Sequence, residues 1–369
     1  MTDNVESPLG GQTPSFTRYL RDNSDLENDA KPFSGQAKYE ISGVEESVSE
    51  RATEPEYLSE WSPRDKPWDL HRADADQVAE IYGAHEGFRK LGARVSLCSL
   101  VLGFAWARDS QDANAFTLKL RQAWFCRVRH CPICQWRRTL MWFARFHASL
   151  PRVLAQYPTA RFVFLTLTQK NVCVGDLRRA LRCMNRAWGR LSQRKTFRVV
   201  LGWIRTTEVT RGNNGTAHPH FHVLMLVPSN YFTKNYISHS EWVEMWRRAL
   251  RVEYNPVVDI RAVKSAARQS WDIMRAVRET LKYSVKPSDM KADAPWFLEI
   301  TRQLRNLRFV ASGGVLKDVL RPDEESQEDL LLLRESQPCD EKASVFFGWK
   351  IVQKRYRHKR ALSATRHQS

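Results

Sequence analysis

Polar and apolar residues fall into two periods along this chain. Residues 161–168 (RFVFLTLT) alternate and then turn polar, residues 202–210 read GWIRTTEVT, and residues 219–227 (PHFHVLMLV) run into an apolar end. With VVDIRAV at 257–263, these are predicted strands. The RGNNG between the second and third is a tight turn, so those two form a hairpin. Between the strands the period changes to that of a helix. Leu177, Leu181, Met184, Trp188 and Leu191 share one face of a helix over 176–191, and Leu140, Phe143, Ala144 and Leu150 share one after Arg137. Helices are also expected from about Asp74 to Lys90, from His239 to Arg251, over 271–287 up to Pro287, and over 296–320. The sum is an α+β chain, with a final aromatic strand (VFFGWKIV) before a basic tail.

Charge sharpens this picture. The 369 residues carry 58 Lys and Arg against 41 Asp and Glu, a net charge of +17, so an acidic partner is expected, nucleic acid before an anionic membrane surface. The first sixty residues run against the trend, with thirteen acids to five bases and no apolar period, and read as a disordered segment. No apolar run is long enough for a membrane span, and Met1 leads into acidic, polar sequence, which points to the cytoplasm and to no membrane partner. Four domains are expected: an acidic segment over 1–63, a helix with a cysteine-rich element over 64–150, a catalytic domain over 151–320, and an acidic linker, aromatic strand and basic tail over 321–369.

Three clusters carry candidate chemistry. Cys126, Cys131 and Cys134 stand in CRVRHCPIC, a C-x4-C-x2-C spacing with proline in the last pair, as in a zinc knuckle. Cys98 is the natural fourth ligand and His130 the reserve; four protein ligands leave no open position, so Zn²⁺ here is structural. Arg137 and Arg138, just after, suit phosphate contact. On the hairpin, His218, His220 and His222 occur at every second position and project from one face. Glu208 on the other arm lies opposite or near them. Two imidazoles and a carboxylate with open positions suit Mg²⁺ or Mn²⁺ when a substrate supplies phosphate oxygens. The last cluster is ETLKYSVK, where Glu279 and Tyr283 stand four apart on one helical face, with Lys282 and Lys286 beside them. A metal on a histidine strand, a tyrosine helix and a basic surface suggest phosphodiester cleavage, with the Tyr283 phenolate as nucleophile, a lysine favouring the phenolate, and Glu279 activating a water or 3′-hydroxyl later.

HPHFHVLMLV with GWIRTTEVT before it, ETLKYSVK after it, FLTLTQKN upstream and the C…CRVRHCPICQWRR block resemble rolling-circle plasmid replication initiators, within the HUH endonucleases. The nearest class is the single-tyrosine Rep class typified by small staphylococcal plasmids. The resemblance covers about residues 64–320. It implies that His220 and His222 are the metal-binding pair, His218 the additional histidine of the longer motif, Tyr283 the nicking tyrosine and Glu279 the acid of the terminating cleavage. It also implies an HUH-type central antiparallel sheet flanked by helices on one face, the histidines on a central strand, and one further strand from 95–125 or 345–352. The implied cycle is nicking at the plasmid's double-strand origin, a covalent 5′-phosphotyrosine, and strand transfer at termination. Single-stranded DNA, a host helicase, a DNA polymerase and a single-strand-binding protein are the implied partners. A single-tyrosine HUH transposase and a non-catalytic zinc protein that binds single-stranded nucleic acid are the competing readings.

Overall fold

The structure is a computed structural model that describes residues 55–108, 116–263, 270–281, 284–320, 325–332 and 343–359. The chain divides into two compact units. The first contains Val101–Arg121 and the described residues before His71 and after Glu341. It holds a short helix α1 (Leu58–Trp61), the start of α2 (Pro67–Gly83), and a sheet ordered β2 (Phe116–Gln122), β1 (Val101–Arg108), β8 (Val345–Lys350), β9 (Arg355–His358). Its interior is aromatic: Trp61 meets Phe347 edge-on at 5.8 Å, and Trp68 meets Tyr356 edge-on at 6.4 Å.

The second unit carries the rest: α3 (Arg89–Ser96), α4 (Pro132–Gln156), β3 (Arg161–Thr168), α5 (Leu177–Ser192), β4 (Gly202–Arg211), β5 (Ala217–Val227), α6 (His239–Leu250), β6 (Val258–Ala262), α7 (Ser270–Thr280), α8 (Pro287–Ala292), α9 (Ala294–Gln303), β7 (Val310–Gly314) and α10 (Gln327–Leu331). Its sheet runs β6-β3-β5-β4-β7, every neighbouring pair antiparallel. β5 is the middle strand, and every residue from Phe221 through the apolar run Val223 to Val227 is buried. A strand covered on both faces needs such a continuous run, which is why its alternation stops after His222. Gly215, at φ +69°, supplies the left-handed residue of the β4–β5 turn.

Helices lie on both faces of this sheet, where one face was expected. One face takes α5 and α6, through Trp188 against Trp203 (4.8 Å) and Trp246 against Phe221 (6.3 Å). The other takes α4, through Phe146 against Phe162 (6.1 Å), and the end of α7. The predicted helical stripe of α5 is buried at all five positions. α6 opens on a capping box between Ser238 and Glu241.

The expectations depart from the structure at three further places. α2 begins at Pro67, ahead of Asp74, because proline suits a first helical turn. The fifth strand of the central sheet is Val310–Gly314, within a stretch read as helix; 95–125 and 345–352 supply strands to the other sheet. Gly313 explains part of this: a Cβ there would fall 2.6 Å from the Trp203 ring, so the position admits only a bare backbone beside β4. Lastly, α7 stops at Thr280, and Pro287 begins α8 at its first position rather than ending α7. Lys282 and Tyr283 lie outside the described residues. Among the described residues, no helix is long and apolar enough to cross a membrane.

Candidate active site

The site is set by register. Antiparallel pairing puts His220 opposite Glu208 on β4 and opposite Thr168 on β3, while His222 faces Thr206 and Thr166. Directly paired residues share a sheet face, so the β5 imidazoles and the Glu208 carboxylate project together into the layer covered by α4 and α7. The Glu208 Oε2 lies 3.1 Å from His220 Nε2 and 2.8 Å from His222 Nε2. All three residues are buried, at 6%, 8% and 7% exposure. Burial works against the Glu208 carboxylate, but hydrogen bonds from His220 and His222 hold its pKa well below the usual carboxylate range.

This donor set fits a divalent cation. His220 Nδ1 lies 3.3 Å from the His218 carbonyl, an acceptor only, so with the hydrogen on Nδ1 the Nε2 that faces Glu208 needs either a second proton, as in the hydrogen bond above, or a metal in its place. A lone pair facing a carboxylate is repulsive unless a cation, proton or metal, stands between them. The ligand atoms of Glu208, His220 and His222 lie within 4.8 Å of one another, and hard oxygen with two imidazoles suits Mg²⁺ or Mn²⁺. His218 stands outside this group: its Nδ1 lies 2.7 Å from Asn171 Oδ1 on the half-buried rim. Burial, then the neighbouring His220, lowers its pKa. Alternation puts three histidines on one face, and the reach to Glu208 selects two.

The chain around the tyrosine motif is tied to the same strand. Thr206 Oγ1 donates to the Thr280 carbonyl, and the Val209 N–H donates to the Ser284 carbonyl at 2.9 Å. The Thr280 carbonyl, the last of α7, is thus satisfied by β4 and the next, that of Leu281, by Thr139 of α4 at 3.1 Å, which favours a helix end here, ahead of Pro287. The two anchors fall on either side of Glu208. Glu279 is half-buried, and Lys286 is exposed as the N-cap of α8. Tyr283 and Lys282, outside the described residues, are adjacent in sequence to the anchored Ser284 and to Leu281.

A second cluster lies in the same unit. Cys98, Cys126, Cys131 and Cys134 are buried, and their sulfurs all lie within 4.8 Å of one another. Cys134 Sγ is 3.6 Å from both Cys98 Sγ and Cys126 Sγ, close to the roughly 3.8 Å spacing of sulfurs around tetrahedral Zn²⁺. Pro132 starts α4, which sets Cys131 at its N-cap and Cys134 on its first turn. Cys98 sits in the loop between α3 and β1 rather than in a strand, and buried Arg72 holds that loop by donating to the Cys98 carbonyl at 2.6 Å. His130 is buried against Phe297 and is not a member of the cluster. Sequence reasoning missed Arg72, whose role is visible only once the Cys98 loop returns to α2.

Arg137 and Arg138 are turned inward. Arg137 is buried and donates to the Leu330 carbonyl at 2.8 Å. Arg138 donates to Glu325 Oε2 at 2.7 Å and to the Arg127 carbonyl at 3.0 Å, bracing the knuckle loop. These intramolecular bonds turn both guanidinium groups toward the protein, where sequence reasoning expected phosphate contacts.

Comparison with known proteins gives the family. A family model described as replication protein matches residues 117–357. A protein named "Protein rep" from Lactiplantibacillus plantarum is 38% identical over 69% of this chain and 81% of its own length. Another "Protein rep", from Lentilactobacillus hilgardii, is 34% identical over 69% of this chain and 82% of its own. A "Replication protein" from Staphylococcus aureus is 32% identical over 55% of this chain and 93% of its own. No solved structure matches. With a family match over more than half its length and relatives covered over most of theirs, this chain belongs to the replication protein family.

Proposed function

We propose that the protein initiates rolling-circle replication of a plasmid by nicking one strand of the double-strand origin. Glu208, His220 and His222 would hold Mg²⁺ or Mn²⁺, and Tyr283 would be the nucleophile. The observation that carries this is the buried carboxylate–imidazole triad on β4 and β5, with the chain on both sides of Tyr283 tied to β4 beside it. The Ser284 carbonyl, one residue after Tyr283 in sequence, accepts directly from the N–H of Val209, the neighbour of Glu208, at 2.9 Å.

In the proposed step the Tyr283 phenolate oxygen forms a bond to phosphorus, and the bond from phosphorus to the 3′-oxygen breaks. The 5′ end stays on the tyrosine and the 3′-hydroxyl is released for extension. A tyrosine titrates near pH 10, so the phenolate needs cations, and Lys282 and Lys286 flank it. The bound cation would supply Lewis-acid stabilisation of charge on the scissile phosphate. Glu279 would act later, taking the proton from a water or 3′-hydroxyl in the terminating transfer. The cysteine cluster would hold structural Zn²⁺. Single-stranded origin DNA, a host helicase, a polymerase and a single-strand-binding protein are the partners this cycle requires, in the cytoplasm. The family match favours replication over transposition.

The test is incubation of purified protein with labelled single-stranded oligonucleotides from the parental replicon's origin, with Mn²⁺ or with EDTA. A metal-dependent covalent adduct on the tryptic peptide carrying Tyr283, absent from Tyr283→Phe, is the expected result. Tight binding without an adduct across the whole origin would leave only a non-catalytic DNA-binding protein.

A further inference from the structure

Beside the β4 anchors lies a cavity of about 410 Å³, within the size range of small-ligand sites. Its walls are the β4 residues Thr206 and Thr207, the first turns of α4, the knuckle loop, the segment leading into β7, and Ser284. Four arginines line it: Arg127, Arg129, Arg138 and Arg308. Glu325 is the one acid among the lining residues, and its carboxylate is shared between Arg138 Nε (2.7 Å) and Arg127 Nε (3.3 Å). Among the described lining residues, guanidinium groups outnumber carboxylates four to one.

The same walls carry unused donors. Gln135 is only 5% exposed; its Oε1 accepts from Ser284 Oγ at 3.1 Å, and its Nε2 has no hydrogen-bond partner among the described residues. Trp142 Nε1, two turns further along α4, is buried and likewise unpartnered. Native proteins seldom leave such donors unmet, and each costs stability until a ligand meets it. Excess guanidinium charge calls for a phosphate, and buried neutral donors call for the acceptor edge of a base. A protein partner would not enter a recess of this size, and a free phosphate would leave the donors unmet.

We propose that this cavity seats one nucleotide of the single-stranded origin DNA, immediately beside the bond to be cleaved. The phosphate lies among Arg127, Arg129 and Arg308, and the unstacked base accepts from Gln135 and Trp142. Its position beside the cleaved bond rests on the nuclease reading, through Ser284, which follows Tyr283. Taking a base out of the stack into a pocket is affordable in a single strand, where no pairing is lost.

The probe is a set of fluorescent single-stranded oligonucleotides spanning the replicon's origin, each with one abasic position, titrated by anisotropy in EDTA. The full-length protein should lose affinity about tenfold at one abasic position next to the bond it cleaves, the scale of one lost base-edge contact. Trp142→Phe, which keeps an aromatic ring and deletes the donor, and Gln135→Leu should bind the intact oligonucleotide more weakly and respond less to that abasic position. Both folds are checked by melting; if Gln135→Leu does not fold, Trp142→Phe decides. Uniform response to every abasic position, or full discrimination retained in folded Trp142→Phe, overturns the pocket. An adduct on Tyr283 with no abasic response overturns the pocket and keeps the nuclease; an abasic response with no adduct keeps a base pocket and overturns the nuclease.

Discussion

Glu208 allows the proposed metal to be tested apart from the fold. Glu208→Gln keeps the shape and an acceptor for one imidazole but removes the negative charge the cation needs. Mn²⁺ affinity, read by calorimetry, should fall by about 100-fold or more, since even an indirect partner of a ligand costs 10- to 100-fold. Melting temperature without metal should change little by comparison; unchanged Mn²⁺ binding would remove Glu208 from the site. His71 makes a separate prediction about acid stability. It is buried, stacked on Trp136 at 4.7 Å, and burial lowers its pKa to about 3. An unfolded histidine takes a proton near pH 6.5, so below that pH the unfolded chain gains a proton that the native state refuses. Its contribution is full above pH 6.5 and is lost at about 1.4 kcal/mol per pH unit until protonation of the native state near pH 3. Denaturant unfolding between pH 7 and 4 should show that slope flattened in His71→Phe, and an equal slope in both proteins would mean that His71 is not buried neutral. At this scale the sequence was readable where period and turn chemistry act alone. The turn signal of the β4–β5 hairpin alone makes Glu208 a neighbour of the histidines. It could not divide His218 from His220 and His222, because Asn171 and the exact register of a third strand make that division.

At the scale of elements, the cysteine knuckle and the end of α7 are each held by a few contacts. Four buried sulfurs repel one another as thiolates, so Zn²⁺ should be needed for this element to fold. Elemental analysis should find about one zinc per chain, lost in Cys134→Ser together with several degrees of melting temperature; a stable, zinc-free wild type would show the cluster to be buried thiols alone. Thr206→Val removes the hydroxyl that holds the Thr280 carbonyl while keeping a β-branched residue in β4. It should cost about 1 kcal/mol of stability, the value of one hydrogen bond, and slow adduct formation more than it weakens oligonucleotide binding. Equal loss of both would make Thr206 a residue of the fold only. These elements also show where local pattern fails. The C-x4-C-x2-C spacing is local and was readable. Pro287 was not, since proline ends one helix or begins the next, and the choice rests on carbonyls reaching β4. β7 was hidden for a similar reason: two glycines and a serine form a strand only because Trp203 and the β4 edge lie beside them.

For the whole molecule the governing quantity is charge. A net +17 chain attracts any nucleic acid, and a protein that must find one origin has to limit that attraction. Its acids are concentrated before residue 60, in a segment whose composition favours solvent. A negative segment tethered to a basic surface competes with phosphate, most strongly at low salt, where charges are least screened. Removal of residues 1–54 should therefore tighten binding to a random-sequence oligonucleotide at about 50 mM salt, with the gain shrinking as salt rises and the Debye length shortens. For single strands the logarithm of affinity falls by about 0.7 per decade of salt for each phosphate neutralised. The truncated protein should show the steeper line, because its phosphate-binding cations no longer exchange one anion for another. Arg308→Gln, at the cavity rim, should make either line shallower by about one such step. Anisotropy titrations of the three proteins at four salt concentrations measure all of this. Parallel lines for the full-length and truncated chains would mean that the acidic segment never reaches the DNA-binding surface, and that discrimination between origin and random sequence comes from base contacts alone.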